Sequence, residues 1–421
     1  MSERDTNPGA LWRNTNFRWL FGGGVISLLG DQFTLIALPW LVLKLSGDPL
    51  ALGGVLAAIG APRAIFMLVG GAIVDRSSPR RILLFTKYAN AALIGLLGAL
   101  VLAQRVDMAL VYVLAAAIGV CSAFAYPAGS ALLPGMLEPA LLAPANGILM
   151  GMRQVAMLLG PLLAGVVIAA GGDAGGGIAD ARGLGIALLL DALSYLLSAA
   201  TLARVRPLSA ATPPSANKPP LLTSLKAGLR YCWDDTTLRA CFIYWSAMAL
   251  FVSGPLQIAM PLLAERLGGA GTYGSLMAAH GAGMLAGMLL SSVRPGLRIA
   301  NFGTTLLVAD GVVGLLFIAM AGVAGVWQGI GLLVALGVVG GYLQVAVMSW
   351  LQRRISLDML GRAMALLMFL FMGLAPLSAA LSGWLVGIVG LGAIFAGAGV
   401  AMLVVVLFGY VATPIRHLSE T

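Results

Sequence analysis

Apolar residues in this chain come in long, nearly unbroken runs separated by short polar junctions. The runs cover about 17–45, 49–74, 82–103, 108–133, 144–170 and 184–205, then 238–265, 271–293, 299–321, 324–352, 361–389 and 391–413. A helix of about 20 apolar residues crosses the hydrocarbon layer of a bilayer, so each run predicts one membrane-spanning helix. The one long junction, about 206–236, divides the pattern into two six-span halves, 1–205 and 237–421. Its first part holds Pro207, Pro213, Pro214, Pro219 and Pro220 and should be irregular. Its second part places Leu221, Leu222, Leu225, Leu229, Cys232 and Trp233 at helical spacing, with Lys226 and Arg230 among them. That pattern predicts an amphipathic helix on the membrane surface, a soluble partner-binding helix being the other reading.

Composition agrees. The chain is 60% hydrophobic and 10% charged, more apolar surface than a soluble fold of this size can bury. No polar stretch is long enough to build a soluble domain. The net charge of +9 would elsewhere point to nucleic acid. Here the bases sit at alternate junctions, as topology signals do, and no nucleic-acid partner is expected. The group assigned to the cytoplasm includes Arg76, Arg80, Arg81 and Lys87 at the second junction. Lys44, Arg105, Arg182 and Arg266 fall outside, and both termini are expected in the cytoplasm. The polar stretch 1–18 holds no short apolar core, so no cleavable signal is expected. Cys121, Cys232 and Cys241 lack metal or redox spacing. Gly172–Gly177 lacks the strand and the Gly-Lys-Ser/Thr ending of a phosphate loop. With only His280 and His417 present, no catalytic constellation is indicated. Neither a metal, a cofactor nor an enzymatic activity is expected.

The junction at 70–81 reads Gly-Gly-Ala-Ile-Val-Asp-Arg-Ser-Ser-Pro-Arg-Arg. Gly71, Asp75, Arg76, Arg80 and Arg81 resemble the loop 2–3 signature of the major facilitator superfamily. Ser78 stands where glycine is usual, and Pro79 displaces the paired arginines by one place. Further stretches resemble the macrolide-efflux and enterobactin-exporter-like branch. These are Leu35–Leu43 after Gly30-Asp31, Tyr126-Pro127-Ala128, Arg153 followed by Gly160-Pro161 and Gly165, Ser253–Leu256, and Gln352-Arg353-Arg354 with Gly361-Arg362. The resemblance implies an all-α fold of twelve transmembrane helices in two pseudo-symmetric halves. It implies a monomeric secondary transporter of the bacterial inner membrane, working by alternating access. The cargo would be a small amphiphilic or hydrophobic molecule, exported against a flow of protons, or of sodium. It also implies a cytoplasmic latch of Gly71, Asp75, Arg76, Arg80, Arg81 and Arg362. The same fold would serve a lysolipid flippase or an importer, and a non-transporting receptor or scaffold is the reading from another class.

Charge inside the hydrocarbon is costly, so each ionisable residue there needs a reason. Asp31 on span 1 is the candidate coupling acid, since a buried carboxyl is poised to take up and release a proton; a structural acid paired with Arg63 or Arg153 is the alternative. Those arginines could instead hold an anionic group of the substrate. Asp191, placed in the outer third of span 6, and His280 on span 8 are further coupling candidates, each with a structural alternative. Asp310 on span 9 reads as structural. Trp40, Tyr126, Trp245, Gln257 and Tyr342 are candidate cavity residues, with Arg63 and Arg153. Few amides and acids accompany them, which favours amphiphilic cargo. Gly160, Pro161 and Gly165 give span 5 a small face for close helix contact, expected against span 8 with its Gly281, Gly283 and Gly287.

Overall fold

A computed structural model describes residues 8–172, 181–206, 221–294 and 299–418. Among the described residues every regular element is helical, and twelve helices are long and apolar enough to cross a membrane. In chain order they are α1 (Thr15–Ser46), α2 (Pro49–Arg76), α3 (Pro79–Leu102), α4 (Met108–Leu132), α5 (Pro139–Ala170) and α6 (Arg182–Ala203). The second set is α7 (Thr236–Leu267), α8 (Ala270–Val293), α9 (Phe302–Met320), α10 (Val326–Arg354), α11 (Leu357–Val389) and α12 (Leu391–Ala412). Expected and observed spans agree to within a few residues.

Helix is what lipid demands, because every backbone polar group must find its partner within the segment. The sequence supplies the ends. Asn14, Asp107, Asp235 and Asn301 cap α1, α4, α7 and α9 by accepting from the first free backbone N–H groups. Proline opens α2, α3 and α5, where its missing N–H costs nothing. Within α7, Pro255–Ala259 form a single π-turn, at which the helix carries an extra residue.

The chain divides into two compact units, Met1–Gly47 with Ala58–Lys218, and Asp48–Ala57 with Pro219–Thr421. In the first unit α1 packs on α5 and α6, and α3 on α4 and α6. Leu11, Phe17, Val74, Leu83, Leu132, Met136 and Leu202 gather in one buried cluster where six helix ends meet. Trp12 sets its edge against Phe17 and Phe21, with centroids 5.6 and 5.0 Å away.

In the second unit α8 and α10 touch backbone to backbone. A Cβ placed on Gly283 or Gly287 would fall 2.2 or 2.0 Å from the carbonyls of Val334 or Val338. One placed on Gly337 or Gly341 would fall 2.3 or 2.1 Å from those of His280 or Met284. Both helices therefore carry the Gly-x-x-x-Gly spacing that permits such approach. The face formed by Gly283 and Gly287 is occupied by α10. Trp350 lies between Phe302, stacked at 5.6 Å, and Trp245 at 6.3 Å. The first turns of α2 belong to this unit, with Gly53 against Ala379 and Gly383 against Pro49.

The amphipathic helix expected in the linker is present as Leu221–Asp234. It packs on α7 and α11, and Gly228 comes so close to Arg362 that a Cβ would meet the arginine Cβ at 3.0 Å. Cys232 faces inward, 3% exposed, while Leu229 and Trp233 face outward. The Pro-rich stretch 207–220 and most of the Gly-rich loop, 173–180, lie outside the described residues.

Candidate functional site: a polar cluster among α1, α3, α5 and α6

The first unit brings Asp31 and Asp191 into one cluster. Asp31 lies near the middle of α1. Gly30 beside it makes room, since a Cβ there would meet Ser194 Oγ at 1.9 Å and Asp191 Oδ1 at 2.7 Å. α1 and α6 therefore close together at these residues. Asp191 is 0% exposed. It accepts from the hydroxyl of Thr34, one turn along from Asp31, and from Ser194 Oγ at 3.2 Å. Its position is the middle of α6, not the outer third. A buried carboxylate needs such donors, or several kcal/mol of desolvation would stand uncompensated, on the order of 2–7 kcal/mol for a polar group.

Asp31 has its own partners. The Tyr195 hydroxyl and the charges of Lys87 and Arg153 all act on it. Lys87 Nζ reaches Ser27 Oγ at 3.3 Å and stands 5.5 Å from the centroid of the Tyr195 ring. The cluster thus contains two acids, two bases and a phenol, drawn from four helices. Cys121 of α4 also lies within electrostatic reach of Tyr195.

Lys87 was assigned above to the cytoplasmic junction; the structure corrects this. It stands eight residues into α3, about 12 Å along the axis at 1.5 Å per residue. Its sequence signal was available: Lys87 and Asn90 lie three residues apart, and no charged residue follows Lys87 in this helix. Asn90 is 1% exposed, and its Oδ1 has no partner among the described residues.

Other expected residues are distributed as follows. Arg153 is exposed and acts on Asp31 by charge alone; Arg63 forms no ion pair among the described residues. Gly160 packs on Gln32 of α1, where a Cβ would meet Cγ at 2.2 Å, and Pro161 and Gly165 are buried beside it. Trp40 and Trp245 are packed, 5% and 6% exposed, with neither indole N–H partnered among the described residues. Tyr126 is exposed, and Tyr342 is half-buried. Gln257 sits in the π-turn and donates to the Ser253 carbonyl at 3.2 Å. His280 belongs to the second unit. Its ring lies against the Leu333 backbone, and Nδ1 is buried without a partner among the described residues. Asp310 accepts from Tyr244 Oη at 2.7 Å, as a structural acid would.

Of the latch, Arg80 donates to the carbonyls of Leu202 and Ala203 at 3.3 and 2.5 Å and so caps the end of α6. Arg81 is exposed. Arg362 lies under the linker helix and reaches Met359 Sδ at 3.4 Å. Gly71, Asp75 and Arg76 lie outside the residues whose side chains are described.

Twelve membrane helices in two units, with acids and bases gathered around the buried Asp191 in one of them, define a polytopic transporter. The chain belongs to the Major Facilitator Superfamily, whose family model matches residues 20–379. Members are transporters rather than enzymes. Among curated relatives it is similar to the multidrug efflux pump Tap of Mycobacterium tuberculosis, 27% identical over 222 residues, covering 51% of this chain and 50% of that protein. The counterpart from Mycolicibacterium fortuitum is 28% identical over 221 residues, 51% of each. The chain spans about half the length of these relatives. Solved structures with the same fold include the nucleoside transporter NupG (TM-score 0.69, 11% identity, 93% of this chain and 98% of that one). A bacterial homologue of the iron transporter ferroportin in its inward-facing state matches similarly (TM-score 0.69, 16% identity, 94% and 98%). At these identities the structures speak to fold alone.

Proposed function

We propose that this protein is a proton-coupled exporter of small amphiphilic or hydrophobic molecules. It would work by alternating access, as a monomer of the bacterial inner membrane with both termini in the cytoplasm. The observation that carries the reading is the cluster of Asp31, Lys87, Asp191 and Tyr195. With both acids ionised, Lys87 and, from an exposed position, Arg153 balance them. One proton on either acid leaves the cluster positive, and a net charge beside the buried Asp191 is unfavourable in a low-dielectric setting. Proton arrival and departure therefore change the free energy of exposing this cluster to water. A cationic amphiphile would compete with the proton for the same acids. Such exclusion of one by the other is what exchange requires. The named activity of the Tap relatives, multidrug efflux, supports the outward direction. The segment Gly71–Arg81, with Asp75, Arg76, Arg81 and Arg362, is proposed as the cytoplasmic latch.

The test is proton movement in liposomes carrying an internal pH dye. Ethidium added to wild-type vesicles should trigger a pH change, and Asp31→Asn should abolish it. An unchanged response in Asp31→Asn would refute the coupling assignment. A sodium-dependent, pH-silent response would replace the proton. Movement of spin-labelled lysolipid alone would favour a flippase, and no substrate-dependent ion movement in any vesicle would leave a non-transporting receptor.

A further inference from the structure

The second unit carries a groove outside the polar cluster and unused by the proposed cycle. Its volume is about 230 Å³, and it lies where the linker helix meets α7 and α11. Three helical stripes form it. Leu229 and Trp233 come from the linker helix, Phe242 and Ile243 from α7, and Leu370 from α11. Arg239 stands at one end and Ser246 at the other. Both are on α7, seven residues and therefore about 10 Å apart along the axis. The groove thus runs from the membrane-surface end of α7 into the hydrocarbon. Leu229, Trp233 and Ile243 are 49%, 55% and 55% exposed, so its mouth opens away from the protein.

The charges at the mouth are uneven. Arg230 is paired with Asp234 at 3.6 Å, and Arg354 with Asp235 at 3.0 Å. Arg239 has no carboxylate within 4 Å among the described residues. One of its Nη groups donates to the Trp233 carbonyl at 3.2 Å, and the guanidinium lies 5.8 Å from the Trp233 ring. These contacts hold the guanidinium beside Trp233 and use one of its five N–H donors. An oriented cation above an apolar slot, beside an exposed tryptophan at interfacial depth, complements a molecule with one anionic end and a hydrocarbon tail.

We propose that this groove is a binding site for an anionic phospholipid, with the phosphate on Arg239 and an acyl chain between the linker helix, α7 and α11. The site would tie the linker helix to the membrane. The proposal rests on the membrane assignment and not on the coupling or cargo reading.

Native mass spectrometry of the delipidated full chain tests it, with palmitoyl-oleoyl phosphatidylglycerol and phosphatidylcholine as probes. Wild type should retain phosphatidylglycerol about tenfold better than phosphatidylcholine, a difference of about 1.4 kcal/mol. Arg239→Gln should lose that preference, and Arg239→Lys should keep part of it. Ser246→Phe, which fills the deep end, should weaken retention of phosphatidylglycerol with Arg239 in place, and it decides the matter if Arg239→Gln does not fold. Equal retention of both lipids by wild type, or undiminished phosphatidylglycerol on Arg239→Gln and Ser246→Phe, would overturn the proposal. So would full displacement by inorganic phosphate, or by ethidium, which would make the groove an ion site or a cargo site.

Discussion

The α8–α10 contact gives a sharp test of the packing, because two glycines on one helix differ only in what they face. At Gly337 a Cβ would lie 2.3 Å from the His280 carbonyl and 2.7 Å from the Met284 N–H nitrogen. Both obstacles are backbone, so no rotamer change relieves them. Restoring ordinary contact requires the helices to part by about 1 Å, and a gap of that size forfeits about a quarter to a half of each dispersion well along the seam. Overpacking a well-filled contact costs about 1–3 kcal/mol. Alanine recovers up to about 1 kcal/mol in helix propensity. The expected net effect of Gly337→Ala lies within about 0–2 kcal/mol of loss, toward the upper end because both obstacles are backbone. Three residues on, Gly340 has nothing within 4 Å of where its Cβ would be. Gly340→Ala should be neutral or mildly stabilising. Thermal melts followed by tryptophan fluorescence in one detergent would compare the two. If Gly337→Ala melts at or above the wild-type temperature, or both variants fall equally, the close backbone approach is wrong.

Three further outcomes are expected. Asp235→Ala should cost about 1 kcal/mol through loss of the α7 cap. Although burial works against it, the Leu238 and Thr237 N–H groups and the Arg354 guanidinium hold the Asp235 carboxyl below its usual value. Its stabilisation is then complete above the unfolded carboxyl's range and lost as pH falls through the folded value. The melting difference between wild type and Asp235→Ala should accordingly be constant near neutrality and shrink only below about pH 4. Tyr244→Phe should lower stability by about 0.6 kcal/mol, a typical hydrogen bond between membrane helices, and Asp310→Asn should add little to it in a double-mutant cycle. Burial, and then the charge of Asp235, push the Cys232 thiol up to about 11, so maleimide at pH 7.5 should label it about 100-fold more slowly in the folded protein than after denaturation.

The spans were legible because hydrocarbon leaves the backbone one solution, and a run of apolar residues is all the signal that solution needs. The linker helix was legible for a related reason, its leucines recurring with the helical period. The site was legible only in part. Asp31 stood out as a charge amid leucine, but its pairing with Asp191 depends on the rotation of α6 about its axis, which an apolar run does not encode. Lys87 was missed because it lies within two turns of a basic junction, where position along the chain and depth in the membrane part company. Trp40 and Trp245 drew notice as aromatic residues on candidate cavity helices. Whether such a ring faces a cavity or its neighbours is decided by packing, and here both rings face their neighbours.

The π-turn at Pro255–Ala259 has a consequence for reading relatives of this chain. An extra residue in one turn rotates everything after it by about 100° relative to a regular helix. A helical wheel drawn straight through α7 therefore assigns Met260–Leu267 to the wrong side. A sequence one residue shorter at this point would still build a complete α7, as an uninterrupted α-helix with both faces preserved. A single-residue gap aligned at 255–259 would then mark a change of helical winding between two otherwise superposable proteins.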